Sequence, residues 1–170
     1  MKLTTFIMAY KIALHNIGSK VASWKSVYVG SIYFPEENED RLAFIFSTGH
    51  DMQAGEMALS VSLKKSSLSN LKTDNGGLNN IADMNGINNA LDSDLLAREY
   101  KSHGEKINEA GRFIVLLEIL LNRLQAAYPD SWEDMEVNEI YFDFNKDLAE
   151  FCMGGKSRIY TDGQLVLFGD

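Results

Sequence analysis

Residues 4–15 alternate along the chain: Phe6, Met8, Tyr10, Ile12 and Leu14 fall on one side of an extended segment, with Ala9, Lys11, Ala13 and His15 on the other. A period of two predicts a strand with one packed face. Asn16, Ile17, Gly18 and Ser19 read as the turn that follows it. Residues 27–34 are β-branched and aromatic, which predicts a second strand. Pro35 ends it, residues 36–40 form an acidic turn, and residues 41–48 return as a third strand, so that 27–48 is a hairpin. Met57, Leu59, Val61 and Leu63 then alternate with Ala58, Ser60, Ser62 and Lys64, the cleanest half-buried strand pattern in the chain. Four consecutive strands with short turns predict an N-terminal antiparallel meander.

The pattern changes at residue 66. Seven Asn lie between Asn70 and Asn89, with Gly76, Gly77 and Gly86 and few large apolar residues, so residues 66–90 read as a long Asn-rich loop. Asp92 or Ser93 is placed to cap a short helix over 94–102. After Gly104, a long helix is predicted over 105–128. Its apolar positions Ile107, Ala110, Ile114, Leu117, Leu121 and Leu124 recur at three- and four-residue steps, and Phe113, Leu116 and Leu120 widen the stripe. Pro129 stops it. Residues 137–144 read as a strand with Ile140, Phe142 and Phe144 inward and Glu139, Tyr141 and Asp143 outward. Residues 146–153 read as a short helix stopped by Gly154 and Gly155. Residues 158–161 and 164–168, flanking Asp162-Gly163, predict a hairpin with a two-residue turn. The expected fold is a single α+β domain over 1–170: a mainly antiparallel sheet, the N-terminal meander plus the C-terminal strands, packed against the long helix.

Composition narrows what such a domain does. The chain has 170 residues, 45% of them hydrophobic and 24% charged, enough to bury a core without disulfide or metal. Cys152 is the one cysteine, so no internal disulfide forms. The apolar start is interrupted by Lys11 and lacks a small-residue cleavage site, so no signal peptide is expected. The most apolar run, 113–121, is far shorter than the roughly 20 residues of a membrane span. These features predict a cytoplasmic protein. The formal charge of −8 argues against nucleic-acid and anionic-lipid partners, both of which call for a basic surface.

Candidate chemistry is sparse. Gly154-Gly155-Lys156-Ser157 ends like a phosphate-binding loop, but the glycine required five residues before Gly155 is Glu150. Asp143, Asn145 and Asp147 match the start of a calcium loop, but Leu148 stands where glycine belongs and Gly154 where the last carboxylate belongs. Cys152, between Phe151 and Met153, reads as a buried, inert thiol. Gly49-His50-Asp51 with Glu56 is the one local cluster suited to a general base and its orienting carboxylate. A polar turn between strands explains it better. No nucleophile elbow, dinucleotide fingerprint or zinc spacing occurs, so no cofactor, metal or catalytic residue is expected.

Charge geography carries more. The first 35 residues hold Lys2, Lys11, Lys20 and Lys25 and no acid, a charge of +4. Residues 130–150 carry −7, with Lys146 as their sole cation. Trp132, Met135 and Tyr141 are interleaved with these acids. Concentrated negative charge steers a basic partner and amphipathic aromatics anchor it. The candidate partner-binding residues are Trp132, Glu133, Asp134, Glu136, Glu139, Tyr141 and Asp143.

In size, acidity, missing targeting signal and α+β layout, the chain resembles bacterial immunity proteins that neutralise the toxins of contact-dependent growth inhibition. The resemblance implies a non-enzymatic inhibitor in a tight one-to-one complex with a basic, nuclease-type toxin domain, blocking its active site or substrate surface. It also implies that strand addition at a sheet edge is one available mode. Three other classes fit the same sequence. One is a phage-encoded inhibitor of a host nuclease or defence complex, another is a small hydrolase using His50 and Asp51, and the third is a structural or assembly protein whose long helix is an oligomer interface.

Overall fold

The computed structural model describes residues 1–18, 27–48, 58–68, 106–154, 156–161 and 164–167. The described elements are helices and antiparallel sheets, an α+β arrangement, but the sheets are two and separate. Helix α1 (Leu3–Gly18) precedes strands β1 (Tyr28–Tyr33), β2 (Arg41–Ser47) and β3 (Ala58–Lys64), which form a three-stranded antiparallel sheet in the order β1-β2-β3. A single helical turn, α2 (Lys65–Leu68), follows. Helix α3 (Ala110–Ala127) leads through a 3-10 turn (Trp132–Asp134) into β4 (Val137–Asp143), β5 (Leu148–Met153), β6 (Lys156–Thr161) and β7 (Gln164–Leu167). These four strands form the second sheet, antiparallel and in sequence order.

The expected four-strand N-terminal meander is therefore corrected to three strands, because residues 4–15 belong to α1 and not to a strand. The physical reason lies in the burial of that helix. Phe6, Ile7, Met8, Ala9, Tyr10, Ile12, Ala13, Leu14 and Ile17 are all buried, so apolar residues surround the axis and no polar stripe marks a 3.6-residue period. The lysine that interrupts this run, Lys11, is itself only 7% exposed and pairs with Glu118 of α3 at 3.4 Å. Burying a charge requires such a partner.

Elsewhere the local chemistry and the structure agree. The 28–47 hairpin turns at 36–39, where the Glu39 amide donates to the Glu36 carbonyl at 3.0 Å. Strand β3 points Leu59, Val61 and Leu63 inward and exposes Ser60, Ser62 and Lys64. Asp40 accepts bonds from the Ser66 amide and hydroxyl at 2.7 and 2.8 Å, and these hold its carboxyl below the usual carboxylate range while fixing α2 to the hairpin. Helix α3 starts five residues later than expected. Residues 106–109 are used instead as a clamp: Asp147 Oδ1 accepts from the Ile107 amide at 3.0 Å, the Val29 amide donates to the Asn108 carbonyl at 2.6 Å while Asn108 Nδ2 donates to the Val29 carbonyl at 3.3 Å, and the Ala110 amide donates to the Val27 carbonyl at 2.9 Å. At the other end the Tyr128 amide closes on the Leu124 carbonyl just before Pro129.

The segment 146–153, expected as a short helix, is the strand β5, with Ala149, Phe151 and Met153 inward. Met153 pairs with Lys156, so Gly154, at φ +57°, belongs to a tight hairpin turn. A left-handed glycine serves a hairpin as well as a helix end. Lys156 and Ser157 open β6, whereas a phosphate-binding loop would continue there into a helix. The final hairpin pairs Thr161 with Gln164. The 94–102 helix, most of the 66–90 loop, and the residues between Thr161 and Gln164 lie outside the described residues.

One buried cluster joins both sheets and both long helices. Its hub is aromatic. Tyr10 of α1 packs on Phe44 and Phe46 of β2 and meets Phe113 of α3 edge-on at 5.0 Å. Phe113 in turn touches Phe142 of β4 at 5.2 Å and stacks on Phe151 of β5 at 6.0 Å. The Tyr10 hydroxyl, fully buried, donates to the Ala110 carbonyl at 2.7 Å, so the first turn of α3 is tied to the middle of α1. Rings in such offset and edge-on contacts stabilise by about 0.5–1.5 kcal/mol beyond their buried area.

Candidate functional site: an acidic face on the second sheet

The acidic stretch begins where α3 ends and runs through the 3-10 turn into β4 and β5. The amides of Ser131 and Trp132 both close on the Tyr128 carbonyl, and the 3-10 turn that follows holds Glu133 and Asp134 in solvent. Trp132 and Met135 are half-buried and pack against the core, which anchors this turn from below. Trp132 is thus a floor to the surface as much as a contact on it.

Glu136 stands at the start of β4, beside the chain's first residues. The Val137 amide donates to the Met1 carbonyl at 2.7 Å, and the Met1 ammonium lies 3.7 Å from a Glu136 carboxylate oxygen. Glu136 is therefore the one residue of the candidate set whose charge meets a cation among the described residues. Burial lowers the pKa of the Met1 ammonium, and Glu136 opposes that shift.

Along β4 the alternation places Glu139, Tyr141 and Asp143 on the outer face and Ile140 and Phe142 on the inner one, as the sequence pattern predicts. A bulge between Val137 and Glu139 lets Asn138 also face solvent. Tyr141 is 54% exposed and its hydroxyl donates to Glu139 Oε2 at 2.7 Å. That bond raises the Tyr141 pKa, because it is lost when the phenol ionises. Asp143 turns back on its own loop, accepting from the Asn145 and Lys146 amides at 3.1 Å each. Asp143 thus satisfies amides of the β4–β5 turn, and Asp147, in the same turn, satisfies the Ile107 amide.

Reading β5 as a helix hid two residues of this face. In register, Glu150 sits opposite Tyr141 and Cys152 opposite Glu139. Cys152 is half-buried among these acids and not enclosed with Phe151 and Met153, which corrects the expectation of a buried thiol. Desolvation pushes its pKa up, and Glu150 and Glu139 push it further. The thiol is held protonated, the opposite of what a nucleophilic cysteine requires. The missed signal was the alternation of Ala149, Phe151 and Met153 with Leu148, Glu150 and Cys152.

Together, Glu133, Asp134, Glu139 and Glu150 present carboxylates with no lysine or arginine paired to them among the described residues. Tyr141 stands beside Glu139 and opposite Glu150, and Trp132 and Met135 anchor the turn that carries Glu133 and Asp134. The arrangement can attract and hold a cationic surface. No group of His, Cys, Asp and Glu suited to a metal ion occurs among the described residues, and no helix there is long and apolar enough to cross a membrane. His50, Asp51 and Glu56 lie outside the described residues. Comparison of the chain with protein-family models, with curated proteins and with solved structures yields no match.

Proposed function

We propose that this protein is a non-enzymatic inhibitor of the immunity-protein kind, which binds a basic toxin domain and covers its active site or substrate surface. The observation that carries the reading is the outer face of β4 and β5, where Glu139 and Glu150 flank an exposed tyrosine with no cation paired to them among the described residues. Like charges close together on one sheet face repel, so such a face costs stability when alone and gains on meeting positive charge. The 3-10 turn before β4 adds two exposed carboxylates, Glu133 and Asp134. Toxin domains that act on nucleic acid carry basic substrate surfaces, which supply the complementary charge.

The gene immediately upstream provides the test. Its product is expected to be a large secreted protein whose C-terminal domain arrests bacterial growth when expressed alone and is silenced when this chain is co-expressed. An upstream gene of unrelated kind, or a toxin domain that this chain binds but fails to silence, contradicts the proposal.

A further inference from the structure

Tyr33 and Tyr141, 60% and 54% exposed, are the two large apolar side chains left open to solvent among the described residues. They lie far apart in sequence and on different sheets, yet both line one groove of about 310 Å³ between the end of β1 and β4. Ile32 and Pro35 contribute apolar wall, and Glu36 and Glu139 bring one carboxylate from each side. Neither carboxylate has a cationic partner among the described residues. The Tyr141 hydroxyl already orients Glu139.

The strands that border the groove are sheet edges, β1 of the first sheet and β4 of the second. Edges invite strand addition, but both are bulged, β1 between Val29 and Ser31 and β4 between Val137 and Glu139. A bulge breaks the flat ladder that an added strand needs. The groove is therefore suited to receive a side chain and not a strand. Two tyrosine rings with two carboxylates match one side chain best. A guanidinium is flat, stacks on an aromatic face and donates a fork of hydrogen bonds to a carboxylate, whereas an ammonium is a strongly hydrated point charge.

We infer that the groove between Tyr33 and Tyr141 seats an arginine side chain of the protein partner. This rests on the reading of the acidic face as the surface for a basic protein, and narrows that reading to one residue type at one place.

The test is an NMR titration of the full chain with acetyl-Gly-Arg-Gly-amide, alongside the same peptide carrying lysine or the neutral isostere citrulline. Arginine is expected to shift the signals of Tyr33, Tyr141 and Glu139, with lysine roughly threefold weaker and citrulline without effect. Tyr141→Ala and Glu139→Gln, both at exposed positions, are each expected to weaken arginine binding roughly three- to tenfold. The comparison of peptides on the unaltered chain stands even where a variant folds poorly. Citrulline binding as well as arginine overturns the inference, and so does an absence of any shift. Arginine-induced shifts at Glu133 and Asp134 with the groove unmoved also overturn it, while leaving the basic-partner reading to the co-expression test.

Discussion

On their inner faces the two sheets carry the same kinds of residue. Val29, Leu42, Phe44, Phe46 and Val61 in the first sheet and Val137, Ile140, Ala149, Phe151 and Met153 in the second are all buried in one cluster. On their outer faces they differ. Ile45 faces Ser60, Ala43 faces Ser62 and Arg41 faces Lys64 in the first sheet, a surface of hydroxyls, apolar groups and two cations. The second sheet sets Tyr141 against Glu150 and Glu139 against Cys152. Both faces serve the fold equally, since an antiparallel sheet needs only one packed side. The concentration of carboxylates on one of them is thus not explained by folding, and it is this excess that the proposed function accounts for.

The largest effect is expected where the two halves share a residue. Phe113 contacts Tyr10 on the side of the first sheet and Phe142 and Phe151 on the side of the second. Phe113→Ala is expected to cost about 3–5 kcal/mol. Urea unfolding followed by Trp132 fluorescence in a Trp24→Phe background and by far-ultraviolet circular dichroism is expected to shift as one transition. Separate transitions for the two probes would show that the sheets do not share a core in energetic terms.

A smaller effect sharpens the contrast between the outer faces. Cys152 is the one cysteine of the chain, so alkylation reports on it alone. With its pKa raised by burial and by Glu150 and Glu139, the rate of reaction with iodoacetamide is expected to rise with pH only beyond the range of a free thiol. Glu150→Gln is expected to move that profile to lower pH. A raised thiol pKa in the fold also means that its small contribution to stability is present below the unfolded thiol pKa and is lost as pH rises through the folded one. A profile unchanged by Glu150→Gln would place the carboxylate too far away to matter, and would weaken the picture of a concentrated acidic face.

How much of this was legible in the sequence follows from the same contrast. Half-buried elements announce themselves: the 28–47 hairpin, β3 and β4 each alternate between core and solvent, and the residue types follow. Helix α1 does not, because Ala9, Tyr10 and Ala13 are as buried as Phe6 and Leu14, so every side of it is apolar and a chance alternation of large residues imitates a strand. Strand β5 was obscured by its glycine, whose positive φ is required equally by a hairpin and by a helix stop. The acidic run was plain from composition, and its orientation on β4 from alternation. Glu150 and Cys152 depended on recognising β5 first. The groove was out of reach, since nothing local links Tyr33 to Tyr141. Only the packing of the two sheets through a common core brings them together.

The central claim is that the acidic face, and not the outer face of the first sheet, receives a basic partner. It is tested most directly by the association rate of this chain with the toxin domain encoded upstream, measured across ionic strength for three forms. These are the unaltered chain, Glu133→Lys with Asp134→Lys, and Ser60→Lys with Ser62→Lys. For the unaltered chain the rate is expected to fall by roughly tenfold or more between low and high salt, as for electrostatically steered pairs. Reversal at Glu133 and Asp134 is expected to slow association and flatten that dependence, while the serine changes on the first sheet leave it in place. An association rate indifferent to salt, or slowed as much by the serine changes as by the reversals, would contradict the account.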